Sequence, residues 1–125
     1  MTATVARTHG EPSLVTRSPT HLGELEQLLL LAVLRLGEES YARSVRVELN
    51  RRIGRAVSKG ALYATFDRLA DKGLLDWETA AATDERGGLP RRRFIVTETG
   101  IEALRATKQE LMTLWRGLDA ILGES

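Results

Sequence analysis

The sequence predicts a mainly α-helical domain of the α+β class, with one small β-hairpin. Three observations predict it. Apolar residues recur every three or four positions through residues 22–36, 41–53 and 58–73, the spacing of helices with a buried stripe. At residues 74–79 the period changes to alternation, and RFIVT at 93–97 is rich in the β-branched and aromatic residues that strands prefer. Helical spacing then resumes and runs almost to the last residue. A chain of 125 residues suits one domain with a modest core.

Taken in order, residues 22–36 are apolar on nearly all sides after Glu26 and Gln27. That predicts a central helix buried on more than one face and ended by Gly37. Ser40 is placed to cap a second helix over 41–53, in which Val45, Leu49 and Ile53 repeat every four residues. Arg46 and Arg52 project outward from it, with Asn50 and Arg51 near them. Residues 54–57 form a short glycine-containing turn. Ser58 then caps a third helix whose buried stripe is Leu62, Phe66 and Leu69, and Gly73 stands where a left-handed glycine ends helices. The opposite side is bare: Gly60, Ala64, Asp67 and Arg68, flanked by Ala61 and Tyr63. A helix, a tight turn and a second capped helix make a helix-turn-helix. Small residues at its second helix's first turn permit close approach to another surface, and a DNA major groove is wide enough to admit such a helix.

Leu75, Trp77 and Thr79 alternate with Leu74, Asp76 and Glu78, which predicts a strand over 74–79 antiparallel to 93–97. Trp77 is expected to support the hairpin from its apolar side. The joining segment, 80–92, is longer than a tight hairpin loop, holds Gly87, Gly88 and Pro90, and is expected to be mobile. Three helices followed by a hairpin define a winged helix-turn-helix, with Arg91, Arg92 and Arg93 on the wing. Thr97 caps a last helix over 98–122, where Ile101, Leu104, Lys108, Leu111, Trp115, Leu118 and Leu122 follow a three-four spacing. This is a heptad seam with one polar interruption at Lys108. Such a seam packs either on its own domain or on a second copy. Residues 22–36 and 58–73 already fill the interior, and burying one large apolar side chain contributes about 1.5–3 kcal/mol. The six apolar seam residues therefore point to a homodimer interface. The expected organisation is a polar, disordered tail at 1–20, a winged helix-turn-helix at 21–97 and a dimerisation helix at 98–125.

Composition narrows the function. There is no cysteine, so thiolate chemistry and disulfides are excluded and a zinc site would need an unusual ligand set. Both histidines, His9 and His21, precede the first apolar helix, and no phosphate-cradling glycine loop follows a strand. Neither a catalytic site nor a cofactor or metal site is expected. The apolar run at 28–34 is too short to span a bilayer, and residues 1–20 lack the apolar centre of a signal peptide, so the expected location is the cytoplasm. The net charge of +1 hides a segregation: residues 40–68 carry +5 and 84–97 carry +2, while 1–39, 69–83 and 98–125 carry −2 each. Nucleic-acid binding depends on such a basic face rather than on total charge.

VSKGALYATFDRLADKGLL and GLPRRRFIVTETGIEAL together resemble the PadR family of bacterial transcriptional regulators. The family shows a similar V-S-x-G-x-L-Y helix, an R-L-x-x-x-G-L exit and a G-x-P-R-x-x-[YF]-x-x-T-x-x-G wing. The upstream LGELEQLLLLAVLRLGEESYARSVRVEL is similar to its opening helices. The likeness covers about residues 22–122, and the single C-terminal helix resembles the short-tailed branch. It implies a homodimeric winged-helix repressor on a palindromic operator, in some members released by a small aromatic ligand. Carried over by position, Ser58, Lys59, Gly60, Tyr63 and Thr65 match the DNA-facing helix, and Arg91, Arg92 and Arg93 match the wing. Three departures stand out. Leu89 stands where the wing is often basic, Arg93 where it is often aromatic, and Ala64 where proline is frequent.

The expected mechanism places the start of the Ser58 helix in a major groove. Its backbone N–H groups, with Arg51, Arg52, Lys59 and the Tyr63 hydroxyl, hold phosphates. Thr65, turned partly inward, and Arg68, a turn deeper, are secondary candidates, and the three wing arginines grip the flanking backbone or minor groove. Because this face is poor in side-chain donors, specificity is expected to lean on DNA shape and bridging water. Trp115 on the seam is either core or, with its symmetry mate, the lining of a cleft for a planar effector. The alternative class is a winged-helix protein-interaction module whose basic segment meets an acidic partner.

Overall fold

The computed structural model describes residues 21–80 and 91–123. The elements run α1 (Glu24–Leu36), a short 3-10 turn (Gly37–Glu39), α2 (Ala42–Ile53), α3 (Lys59–Asp71), β1 (Leu75–Ala80), β2 (Arg91–Val96), α4 (Glu98–Trp115) and α5 (Asp119–Leu122). The expected tail at 1–20 and the glycine- and proline-bearing segment at 81–90 lie outside the described residues. No described helix is long and apolar enough to cross a membrane.

One apolar cluster joins the first four α-helices and both strands. Leu29 and Leu30 of α1, Val45 and Leu49 of α2, and Leu62, Phe66 and Leu69 of α3 meet Leu74, Leu75, Phe94, Val96 and Ala103. The third-helix stripe read from the sequence is thus the inward face. Phe66 stacks on Phe94 with ring centroids 3.9 Å apart, fastening α3 to the hairpin, and such aromatic pairs contribute about 0.5–1.5 kcal/mol beyond their buried area. Trp77 packs half-buried against the same cluster, as expected for a residue supporting the wing.

The hairpin is antiparallel, from Leu75 opposite Val96 to Ala80 opposite Arg91. Both strands run further toward the tip than the sequence pattern suggested, so Arg91 and Arg92 are strand residues rather than loop. Cross-strand pairing, which single-chain alternation does not reveal, extends the ladder. The outer edge of β2 is also engaged, because the Phe94 N–H donates to the Ser40 carbonyl at 2.8 Å.

That contact explains a correction. Ser40 does not cap α2; Tyr41 occupies the N-cap position without a side-chain bond, and Ser40 is buried with its backbone committed to β2. Two apolar expectations also shift. Ile53 at the end of α2 is exposed, and α1 leaves Leu31 and Leu34 about half exposed, at 47% and 46%. In α1 the buried place goes instead to Glu26, at 5% exposure.

Glu26 is held by specific partners. Its Oε1 accepts the Gly23 N–H at 2.8 Å, capping α1, and Lys72 Nζ donates to both carboxylate oxygens at 2.9 and 3.0 Å. Arg68 Nε lies 3.6 Å away. Burial by itself would raise this carboxyl's pKa, but the Gly23 hydrogen bond, Lys72 and Arg68 outweigh burial and hold it below the ordinary glutamate value.

The third helix leaves through a Schellman turn. Gly73, at φ 77°, donates its N–H to Ala70, and Leu74 donates to Leu69, both at 2.9 Å. Thr97 docks onto this exit: its N–H donates to the Leu74 carbonyl at 3.1 Å and its hydroxyl to the Gly73 carbonyl at 2.8 Å. The same hydroxyl accepts the Gly100 N–H at 3.0 Å and caps α4, as read from the sequence. Gly100 lies against this junction with no room for a side chain. An added Cβ would overlap the Leu74 carbonyl oxygen and come within 2.8 Å of Val96 Cγ1.

The C-terminal helix is not continuous over 98–122. It stops at Trp115, where Arg116 turns extended (ψ 132°) and Gly117 takes φ 83°, and a four-residue α5 follows. Leu118 and Leu122 therefore leave the axis that carries Leu111 and Trp115. Ile101 and Leu104, expected on an association seam, pack half-buried against the chain's own core. The remaining seam is short.

Two outcomes follow. Gly100→Ala is expected to lower unfolding stability by about 1–3 kcal/mol through overpacking, read by urea denaturation. Glu26→Gln is expected to cost about 1–3 kcal/mol at neutral pH. Because the folded carboxyl titrates below its unfolded value, the wild-type advantage is full above about pH 5 and fades as pH falls through the lowered value. Unfolding curves of both proteins across that range check the sign.

Candidate nucleic-acid interface

The turn between α2 and α3 is built from two local devices. Gly54 takes the left-handed conformation (φ 66°, ψ 24°) and its N–H returns to the Asn50 carbonyl at 2.9 Å, stopping α2. Ser58 restarts the chain as a helix, its Oγ accepting the Ala61 N–H at 3.1 Å. Arg46 Nε donates to the Val57 carbonyl at 3.1 Å and braces the turn from α2.

An open depression of about 1010 Å³ lies between α2, the start of α3 and β2. Its lining includes Arg43, Arg46, Lys59, Arg91 and Arg92, together with Tyr41, Asn50 and Tyr63, and no carboxylate among the described residues. Arg43, Arg46, Val47 and Asn50 fall at i, i+3, i+4 and i+7, one stripe of α2. Five cations thus converge on one concavity, and among the described residues no acid lines it to neutralise them.

The sequence-predicted residues divide on this geometry. Lys59, Gly60 and Tyr63 are exposed, with Lys59 and Tyr63 lining the depression, and Ser58 is exposed beside them as the cap. Tyr63 meets Phe66 edge-on, at 6.1 Å between centroids. Thr65 corrects the expectation of a half-turned side chain. It is 1% exposed and its hydroxyl donates to the Ala61 carbonyl at 2.7 Å, so the bare face does not include it. Arg68 sits between Thr65 Oγ1, at 3.2 Å, and Glu26.

Arg51 and Arg52 do not line the depression. Both turn to Glu48, at 3.1 and 2.6 Å. Hydrogen bonding from Arg52 leads the causes that hold the Glu48 carboxyl below its ordinary value, against an opposing effect of burial. The signal for this was in the sequence, since Glu48 precedes the two arginines at i+3 and i+4, where helical ion pairs form. Arg43 and Tyr41 were missed. The i, i+3, i+7 stripe through Arg43, Arg46 and Asn50 was the available sign for Arg43. No local sign marks Tyr41.

The wing arginines also part company. Arg91 lies over the Tyr41 ring at 3.7 Å and Arg92 over the Trp77 ring at 4.7 Å, whereas Arg93 is ion-paired to Glu78, its cross-strand neighbour.

A domain of this order, with a hairpin behind a capped second helix, is a winged helix-turn-helix. The profile of the transcriptional regulator PadR-like family matches residues 30–106. The chain belongs to that family. Solved structures agree. A PadR-like transcription factor from Bacteroides fragilis is 26% identical, with a TM-score of 0.62, 78% of this chain and 88% of that one being covered. A PadR family regulator from Eggerthella lenta is also 26% identical, with a TM-score of 0.57 over 82% and 88%. A winged-helix DNA-binding protein from STIV shares the fold at 21% identity, with a TM-score of 0.58 over 73% and 90%. No curated protein matches the chain.

Ser58→Ala is expected to destabilise by about 0.5–2 kcal/mol, the usual loss for a missing N-cap oxygen. Chemical denaturation measures it, and an unchanged midpoint would contradict the capping role.

Proposed function

We propose that the chain is a homodimeric, PadR-like repressor that binds a roughly palindromic operator and acts by occupancy, with no chemistry on the DNA. The observation that carries this reading is the concavity lined by Arg43, Arg46, Lys59, Arg91 and Arg92 with no carboxylate among the described residues. Its position at the start of α3 suits insertion of that helix into a major groove, with the hairpin beside the flanking backbone. An added Cβ on Gly60 would meet nothing within 4 Å. The fold therefore does not need glycine there, and close approach of another surface gives its small size a use. Lys59, the Tyr63 hydroxyl and the N–H groups after Ser58 are the proposed phosphate contacts, joined by Arg91 and Arg92. Arg51, Arg52, Arg68 and Arg93 take secondary places because carboxylates already engage them.

Dimerisation is supported by the apolar surface left open by one protomer. Leu31 and Leu34 on α1, and Leu111, Met112, Leu114 and Trp115 on α4, are exposed, and α1 packs against α4. Leu118, Ile121 and Leu122, beyond the helix break, are exposed as well. Burying several such side chains at about 1.5–3 kcal/mol each favours association. Trp115, 38% exposed on this surface, is the proposed platform for a planar aromatic effector.

The test is retention of a labelled fragment from the DNA upstream of the coding region, over a salt series. Eight to ten neutralised phosphates per dimer correspond to a log–log slope of about −7 to −9. Lys59→Glu is expected to weaken binding at least about tenfold, whereas Arg52→Gln changes it less than about threefold. Sedimentation is expected to give a dimer at micromolar concentration. A wild-type chain that leaves the fragment unshifted at low salt overturns the reading and favours the protein-interaction module.

A further inference from the structure

Three consecutive arginines on a wing are chemically equivalent, and the fold makes them unequal. Arg93 is neutralised by Glu78. Arg91 and Arg92 instead rest on aromatic rings. A ring face attracts a guanidinium through its quadrupole but carries no net charge, so the cation stays available to an anion.

Resting on the reading of this concavity as the DNA face, we propose that Tyr41 is a positioning residue for DNA binding: its ring seats the Arg91 guanidinium at the loop end of β2, pre-oriented toward a phosphate. Tyr41 is well placed for this. Its backbone is extended (φ −110°, ψ 162°) and fixed at both ends, its N–H donating to Glu39 at 3.0 Å and its carbonyl accepting from Val45 at 2.9 Å. The neighbouring Ser40 carbonyl accepts the Phe94 N–H, which lays β2 alongside this segment and brings Arg91 over the ring. The Nε of Arg91 is buried and has no hydrogen-bond partner among the described residues. The 3.7 Å ring contact therefore anchors the guanidinium without consuming its donors. An arginine ordered before DNA arrives loses less rotamer freedom on binding. The contact also ties the wing to α2, so the two sides of the concavity keep their spacing.

The experiment measures binding of the full chain to a fluorescein-labelled random-sequence duplex of about three helical turns over a salt series. Tyr41→Phe keeps the ring and is expected to bind within about twofold of wild type at the same slope. Tyr41→Leu is expected to weaken binding about five- to thirtyfold, two sites being lost per dimer, and to reduce the slope by about 1–2. Arg91→Gln is expected to match it, and the double variant Tyr41→Leu with Arg91→Gln to be no weaker than Arg91→Gln alone. Tyr41→Gln serves as a second non-aromatic variant if Tyr41→Leu does not fold. Additive losses overturn the inference. So does a Tyr41→Phe as weak as Tyr41→Leu, which would make the hydroxyl the contact. A wild-type chain that binds while folded non-aromatic variants bind equally well overturns this inference alone. A wild-type chain that never retains the duplex overturns the functional reading with it.

Discussion

The docking of Thr97 and Gly100 onto the exit of α3 is the constraint on which the rest of the molecule depends. Thr97 addresses the Gly73 and Leu74 carbonyls and caps α4 in the same contact. Gly100 lets α4 lie on that backbone with no side chain between them. The junction sets where β1 starts and β2 ends, because Leu75 pairs with Val96 immediately beside it. The hairpin's reach toward the concavity is thereby measured from a fixed point. Spacings in the wing motif of the family, a threonine and then a glycine three residues on, acquire a physical cause: the first closes a turn and starts a helix, the second admits the helix.

Electrostatics in this domain is a matter of which cations are already occupied. Glu26 draws Lys72 and Arg68 to the far end of α3, and Glu48 draws Arg51 and Arg52 together on α2. Glu78 takes Arg93. The cations left lining the concavity come from α2, the first residue of α3 and the loop end of β2. With Glu24, which pairs with Arg55 at 3.3 Å, these acids sort the basic residues into structural and available charges. In the proposed mode only the available ones meet phosphate, which is how a chain with a net charge of +1 presents a basic face.

Much of the fold was legible from the chain. Helical spacing in α1, α2 and α3, the Ser58 and Thr97 caps and the change of period at β1 are all local signals, written in neighbouring residues. Ser40 misled because its capping chemistry was outweighed by a non-local bond to Phe94. The last helix misled for the opposite reason. Its apolar spacing is regular enough for one rod, yet Gly117 adopts a conformation that ends it and Ile101 and Leu104 turn to the core. Spacing reports which residues share a stripe and is silent about what that stripe faces.

The sequence by itself determined the order of helices and hairpin, the family, and the bare first turn of α3. Each of these is carried by propensity, capping or motif within a short window. Only the tertiary structure decided that Glu26 and Glu78 engage Arg68 and Arg93, that Thr65 faces inward, and that Arg91 rests on Tyr41. Those outcomes join residues from separate elements, such as Glu26 with Lys72 and Tyr41 with Arg91. Ion pairs and ring contacts act over a few ångströms of space, and distance along the chain carries no record of them until the core has closed.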